Sequence, residues 1–448
     1  MEHTADEVEV TWYTGPRFRR TALAVIGVAI VVQGCYAVFR RDGDLLCHIN
    51  YGNHFLQREP YANPGNYYPL GRVMVDVVFT LGGYHLTRAV FYGLAIGALI
   101  WCFRIWEQIA SASDGQHNPA SRARMFAASM LTLVVLVPFI IRDLDECGLQ
   151  IFLLLMCSLA VAAFQRGRLA STGFWLAAAA TYKATPLLFL PFLLWKRQWK
   201  AAGCMALFIV AFNLLPATYL GWEKTLAAHQ YWFTHMQSIA GDTPEAHPSV
   251  PGIELPKHQN VGLSAAFARL VETYPPGHPL FIDHPLFFQF GNLSPERAKL
   301  AVKVLIVLLG AALAWQMRRP YTAGDTDIAI AANWAVTCIF CAILSPLCWR
   351  QHLVLLIPAV LLLARSLLLG KVQSKQRLIV LAGISAAFFL THRTVFGKEL
   401  TIVLLSYHCL TFAAVAMAFL VLTMPAHRRA AAGEKSPALP DQPLKQAA

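Results

Sequence analysis

Two carboxylates that follow the first long apolar run are the residues best placed for acid–base chemistry. The run extends from Thr21 to Phe39, which is long enough to cross a bilayer as a helix, and Asp42 and Asp44 come directly after it. An aromatic and amide-rich segment at 50–68 follows, whose groups can bind hydroxyls in a site that faces water. We expect Asp44 to act as a general base. The alternative is that both acids only cap a turn, because Asp-Gly is a common turn dipeptide.

Lys183 interrupts an apolar stretch, three residues before Pro186. The proline disfavours continuous helix and frees backbone groups. An ammonium in such a segment is costly unless it has a partner, so the residue is a functional candidate whose natural partner is a phosphate. The alternative is a lysine whose stem is buried and whose head reaches the lipid headgroups.

The segment Arg142-Asp143-Leu144-Asp145-Glu146 is a third candidate. Asp145 and Glu146 can cap the next helix and favour its positive end, which explains the acids without any substrate. That explanation leaves Arg142 without a role. The spacing of the two aspartates also occurs in metal and nucleotide-sugar sites, but a neighbouring arginine can neutralise an anion in place of a metal.

A fourth cluster, Arg350 and His352, begins a helix that returns through an apolar run. Arginine can donate two parallel hydrogen bonds to a phosphate. A single histidine at a helix start is also often structural. The cluster therefore indicates an anion site only together with the other cations.

The composition indicates a protein that crosses a membrane many times. Hydrophobic residues make up 56% of the chain and charged residues 14%, whereas soluble domains have about a quarter charged residues. The net charge of +12 is spread in small groups between apolar runs, which favours topology signals over a nucleic-acid surface. The ten scattered cysteines predict neither a disulfide framework nor a zinc site.

Twelve apolar runs predict the crossings. They lie at 21–39, 86–103, 125–141, 148–164, 172–182, 185–195, 201–220, 300–315, 328–344, 352–369, 378–390 and 400–423. A few are shorter than the ~20 residues that a full span needs. We expect an all-α polytopic membrane protein with about 11 to 13 transmembrane helices.

Positive residues assign the two sides of the membrane. Groups of lysine and arginine near 104–124, 166–168, 196–200, 318–319, 371–377 and 428–429 all fall on the side of the N-terminus, which the positive-inside rule makes the cytoplasm. Only Arg40 and Arg41 disagree. The termini at 1–20 and 424–448 are then cytoplasmic, and 21–423 is the transmembrane domain. Its periplasmic loops, at 39–84 and 221–299 among others, place all four polar clusters on one face.

The order of several short motifs resembles glycosyltransferase family 87. The motifs are Asp44-Leu45, Tyr67-Tyr68-Pro69, Lys183-x-x-Pro186, Trp195-Lys196-Arg197-Gln198-Trp199, Gln259-Asn260-x-x-Leu263-Ser264 and Ser345-Pro346-x-x-Trp349-x-x-His352. The resemblance covers most of the chain between Asp44 and Leu369. It implies a GT-C-type fold in a bacterial inner membrane and a mannosyltransferase that uses a polyprenyl-phosphate-linked sugar, with Asp44 as the base.

The substrate class that this resemblance implies assigns the other candidates. A sugar on polyprenyl phosphate already carries its leaving group, so transfer with inversion needs a base and cations, and we expect neither a metal nor another cofactor. The donor phosphate would be bound by Arg142, Lys183, Arg350 and His352. Hydroxyls of the sugar, or of a lipid or glycan acceptor, would be bound by Tyr68, Asp143, Asp145, Gln150, His258, Gln259 and Asn260. The lipid tail would lie between helices, in contact with membrane lipids.

Two other functions remain open. A transporter or flippase of lipid-linked or anionic solutes would also place a lysine at a broken helix, although the chain shows no internal repeat and its polar clusters lie on one face. A non-catalytic homologue is the other, because Leu70, Ile151 and Gln351 stand where family members often have proline, asparagine and histidine.

The charge pattern predicts that the 221–299 loop faces the periplasm. Single cysteines placed in that loop should react with a membrane-impermeant thiol reagent in intact spheroplasts. Cysteines placed in the 424–448 tail are the control and should react only after lysis. Protection of the loop cysteines in intact spheroplasts would contradict this topology.

Overall fold

Helices form nearly all of the regular structure in the computed structural model. It describes residues 15–40, 43–63, 66, 68–111, 119–241, 260–274, 288–321, 327–369 and 375–423. The α-helices are α1 (Pro16–Phe39), α2 (Leu45–Leu56), α3 (Leu70–Asp76), α4 (Tyr84–Ser111), α5 (Pro119–Glu146), α6 (Gln150–Gln165), α7 (Leu169–Tyr182), α8 (Phe189–Trp195), α9 (Trp199–Leu214), α10 (Ala217–Leu220), α11 (Trp222–Gly241), α12 (Leu263–Val271), α13 (Pro295–Gln316), α14 (Asp327–Ile343), α15 (Ile357–Leu368), α16 (Lys375–Leu390), α17 (Arg393–Ser406) and α18 (Cys409–Leu422). Short 3-10 helices lie at Val77–Thr80, Thr185–Leu188 and Arg350–Leu356.

Several of these helices are long and apolar enough to cross a membrane. Within the described ranges there are six by length and composition, and α16 with α17 makes a seventh if this pair, bent by 113°, is one span. The six are Pro16–Phe39, Tyr84–Ser111, Ser121–Glu146, Trp199–Leu220, Pro295–Gln316 and Arg350–Leu368. Shorter apolar helices, among them α6, α14 and α18, lie where further crossings were predicted. The all-α, multi-pass class is confirmed.

One predicted crossing has a different structure. The apolar run 400–423 consists of the end of α17 and the whole of α18, which are separated at Tyr407 and His408. His408 has a φ of 52°, in the left-handed region that ends regular helix. The break has no proline or glycine, and both helices are apolar, so hydrophobic periodicity alone does not reveal it.

The helical segment that begins with the fourth cluster, Arg350 and His352, lies at the centre of the bundle. In an apolar 18-residue stretch of Arg350–Leu368, 89% of the residues are buried, whereas in the corresponding stretch of α1 only 6% are, so α1 lies at the outside. Around this centre, Trp334 of α14 is fully buried, and Trp106 of α4 donates a hydrogen bond of 2.9 Å to Ser158 Oγ of α6. The central position fixes Arg350 and His352 relative to α5, α6 and α14, which pack against this segment.

Small residues let α7 and α9 approach closely. A Cβ on Gly173 would lie 2.5 Å from Cys204 Cβ and 2.6 Å from the Met205 amide nitrogen. Helices in membranes associate through such small residues because the lipid supplies no hydrophobic driving force between them. The contact holds α7, and therefore Lys183 at its end, against α9.

We predict that Gly173→Ala lowers the stability of the protein. The added methyl must push backbone apart, which costs about 1–3 kcal/mol for overpacking. Gly203→Ala on α9 is the matched control, because nothing lies within 4 Å of its added Cβ. Thermal unfolding in detergent measures both. Equal midpoints for the two variants would show that the close contact is not needed.

Candidate active site

Asp44 is the first residue of a turn that docks on the end of α5. Its backbone N–H donates to the Glu146 carbonyl at 2.8 Å, and its own carbonyl accepts from the His48 N–H at 3.0 Å. Gly43 precedes it with a φ of 99°, and a Cβ there would lie 3.0 Å from the Asp145 carbonyl oxygen, so the close approach favours glycine.

The side chain of Asp44 does not cap α2, although the residue occupies the N-cap position. No hydrogen bond or ion pair to the carboxylate is made within the described ranges. Burial raises the pKa of Asp44 above that of an exposed aspartate, and the nearby charges of His48, Arg142 and Arg72 oppose this effect. A carboxylate with a raised pKa is a stronger base, which suits proton abstraction and does not suit a turn cap.

Lys183 lies at the end of α7, in extended backbone with φ −149° and ψ 132°. Its ammonium donates to Gln150 Oε1 at 3.2 Å and to His352 Nε2 at 2.9 Å. Both partners are uncharged when they accept these bonds. Among the residues that the structure describes, no carboxylate lies within ion-pair distance of the ammonium, so its charge can bind an anion.

Gln150 and His352, two of the predicted site residues, both contact Lys183. Each uses a lone pair to hold Lys183, and Gln150 also donates to the Gly148 carbonyl at 2.8 Å. A histidine that accepts from an ammonium does not add a second positive charge at that nitrogen. Both residues therefore orient Lys183. If Nε2 of His352 accepts, the ring proton is on Nδ1, which is buried and has no hydrogen-bond partner among the described residues.

Arginines extend the positive charge beside Asp44. Arg350 lies within electrostatic range of Arg142 and Arg393, and it makes no hydrogen bond or ion pair in the described part of the chain. Arg142 pairs with Glu146 at 3.2 Å and remains 39% exposed. Asp143 lies within electrostatic range of both Asp44 and Lys183, so the carboxylate and the ammonium belong to one site. A base beside several cations can serve transfer from a phosphate leaving group.

Comparison with known proteins assigns the family. The family model "Glycosyltransferase family 87" matches residues 66–346. The chain belongs to glycosyltransferase family 87. It is also similar to the crystal structure of ArnT from Cupriavidus metallidurans bound to undecaprenyl phosphate, at 14% identity over 91% of this chain and 78% of that chain, with a TM-score of 0.35. The search of curated proteins finds no match.

Two predicted hydroxyl-binding acids of this family 87 glycosyltransferase have structural partners. Asp143 accepts from the backbone N–H groups of Gln150 at 3.1 Å and Ile151 at 3.0 Å, so it is the residue that caps α6. Asp145 accepts from Gln33 Nε2 at 2.5 Å and lies 3.7 Å from Arg40 Nη1, which joins α5 to α1. This pairing also explains why Arg40 does not follow the positive-inside rule.

The remaining predicted hydroxyl ligands of the glycosyltransferase have mixed outcomes. Asn260 donates to the Pro346 carbonyl at 2.8 Å and accepts from the Gly262 and Cys348 amides, so it fixes the turn before Arg350. Tyr68 lies 4.8 Å from the Arg72 guanidinium and packs beside His48. His258 and Gln259 lie outside the described residues.

A buried polar network beside Asp44 was not predicted. Arg72 Nε donates to Asp76 Oδ1 at 2.8 Å, and Arg72 Nη2 lies 3.2 Å from His48 Nδ1. The guanidinium also lies 4.2 Å from the Tyr182 ring, next to Lys183. The i,i+4 spacing of Arg72 and Asp76 is a recognisable signal for such a pair. The apolar residues between them hid the fact that the pair is buried.

Proposed function

We propose that the glycosyltransferase moves a hexose, mannose, from a polyprenyl-phosphate-linked donor to a lipid or glycan acceptor on the periplasmic face of the bacterial inner membrane. The observation that carries this proposal is the arrangement of charges around Asp44. Its carboxylate makes no hydrogen bond or ion pair among the described residues, Arg142 lies within electrostatic range of it, and in the same part of the chain Lys183 and Arg350 have no carboxylate at ion-pair distance. Both termini would lie in the cytoplasm, as the loop charges indicate.

The reaction is a single displacement in which each charge has a partner. Asp44 takes the proton from the acceptor hydroxyl, and the acceptor oxygen forms its bond to the anomeric carbon from the opposite side of the leaving group. The bond from that carbon to the phosphate oxygen breaks, and the phosphate keeps the electron pair. Lys183, Arg142 and Arg350 stabilise the added negative charge, so the configuration inverts.

Asp44→Asn tests the base directly. The amide keeps size and polarity but cannot take a proton, so kcat should fall by roughly 10²- to 10⁴-fold while the donor KM stays near the wild-type value. Transfer from radiolabelled polyprenyl-phosphate mannose, in proteoliposomes that contain bacterial lipid extract, measures both. Asp327→Asn, at the start of α14 and away from the site, is the matched control and should retain activity.

Near-normal turnover of a folded Asp44→Asn protein would remove the base from the proposal. Movement of intact labelled donor across the bilayer, without sugar transfer, would instead indicate a flippase. Neither movement nor transfer by the wild-type protein would favour a non-catalytic homologue.

Loss of a cation should give a different kinetic result from loss of the base. Lys183→Met or Arg142→Met removes a partner that holds the phosphate in both the ground state and the transition state, so the donor KM should rise and kcat should fall. Lys224→Met is the matched lysine control, because its ammonium lies on an exposed surface, 3.5 Å from the Arg58 carbonyl. An unchanged donor KM in both site variants would show that these cations do not bind the donor.

We also propose that catalysis needs no divalent metal. Asp143 and Asp145 are held by the backbone of α6 and by Gln33 and Arg40, and the described residues contain no group of three or more His, Cys, Asp or Glu arranged for a metal ion. Treatment with a chelator should leave transfer unchanged. Loss of transfer, with recovery on adding magnesium or manganese, would reassign the acids of α5 as ligands.

A further inference from the structure

The network around His48 lies one helical turn from Asp44. The two residues are spaced i,i+4 at the start of α2, so their side chains leave the same face of the helix. His48 is 1% exposed and is enclosed by the rings of Tyr51, Tyr68 and Phe79. A polar ring in such surroundings needs hydrogen bonds that fix its orientation.

Only one ring nitrogen of His48 has its bonds within the network. Nδ1 lies 3.2 Å from Arg72 Nη2 and 3.6 Å from Asp76 Oδ2, and only the first distance is short enough for a hydrogen bond. A guanidinium can only donate, so Nδ1 accepts from Arg72, and the proton of the uncharged ring is then on Nε2. Nε2 is buried and has no hydrogen-bond partner within the described residues. The Arg72–Asp76 pair is itself buried, since the two side chains are 2% and 0% exposed. The network thus fixes a donor that has no acceptor among the described residues.

We infer that His48 is a positioning residue for Asp44. The Nε2–H group of His48 donates a hydrogen bond to the Asp44 carboxylate when the acceptor substrate is bound. The inference rests on the proposed role of Asp44 as the base. The bond would aim the carboxylate at the acceptor hydroxyl and stabilise its charged form, while the Arg72–Asp76 pair holds the imidazole in the required tautomer.

Other charged and titratable groups also lie near Asp44 and contribute to the pH dependence of activity. The profile of each variant must therefore be compared with the wild-type profile. They come from every element around the turn. They are Cys47 and His48 of α2, Arg72 of α3, Arg142 and Asp143 of α5, and Cys147 after α5. Of these groups, only His48 has a buried nitrogen without a partner among the described residues, so its replacement tests that nitrogen and leaves the other charges in place.

The pH profile of transfer from polyprenyl-phosphate mannose, in proteoliposomes with bacterial lipid extract, tests the inference. His48→Phe keeps the ring and its packing but removes the donor, so the pKa of Asp44 should rise. Activity depends on the carboxylate, so the acid limb of kcat should move to higher pH by about one unit. The donor KM should stay within about twofold, because no phosphate contact is lost.

His48→Gln separates positioning from folding. Its side-chain amide can place a donor near the position of Nε2, so the acid limb should return toward the wild-type pH. His54→Phe on the same helix is the matched control and should keep the wild-type profile. A wild-type acid limb in folded His48→Phe would overturn the inference even if Asp44→Asn is inactive, whereas an active Asp44→Asn would overturn the proposed base as well.

Discussion

A buried ammonium with no carboxylate at ion-pair distance among the described residues is the constraint on which the site depends. Lys183 is held by the oxygen of Gln150 and by a nitrogen of His352, and both are neutral acceptors. These bonds orient the ammonium but do not neutralise its charge, and Asp143 acts on it only from beyond ion-pair distance. A buried ammonium in this situation is costly, and structural residues rarely carry such a cost. An anionic ligand removes this cost. The phosphate of the proposed donor would be such a ligand.

Three features of the chain produce this arrangement. Pro186 follows the lysine closely, so α7 ends and Lys183 takes extended backbone. Asp143 caps α6 and fixes Gln150 at its first residue, in a turn where Cys147 and Leu149 both have positive φ. Asn260 fixes the turn at 345–348, which places His352. Non-glycine residues in the left-handed region cost free energy, and two of them flank Gly148. The hydrogen bonds that Asp143 accepts from the start of α6 help to offset this strain.

The sequence predicted the class of the fold and the general location of the site better than the role of each residue. Hydrophobic runs recovered the helices, because a bilayer imposes length rules that do not depend on tertiary contacts. The assignment of the polar clusters to one face by the loop charges stays a prediction. Lys183 was predicted as a site residue because an ammonium in an apolar stretch is costly. Asp143, Gln150 and Asn260 were predicted to bind hydroxyls of the sugar or acceptor. Side-chain type alone does not show that they also hydrogen-bond to backbone groups of the protein. The sequence did not predict the network of His48, Arg72 and Asp76. Arg72 and Asp76 lie in a short helix, inside a segment that was predicted to be a loop.

The base and the cations lie on different elements, and this separation has a chemical consequence. Asp44 belongs to the turn between α1 and α2, whereas Lys183, Arg142 and Arg350 belong to α7, α5 and the 3-10 helix before α15. An inverting displacement needs the acceptor and the leaving group on opposite sides of the anomeric carbon. A single element carrying both groups would favour approach from one side. α3 packs between α2 and α7, because Arg72 contacts His48 on one side and the Tyr182 ring, beside Lys183, on the other. A displacement of α3 would therefore change the separation of base and phosphate site without altering either group.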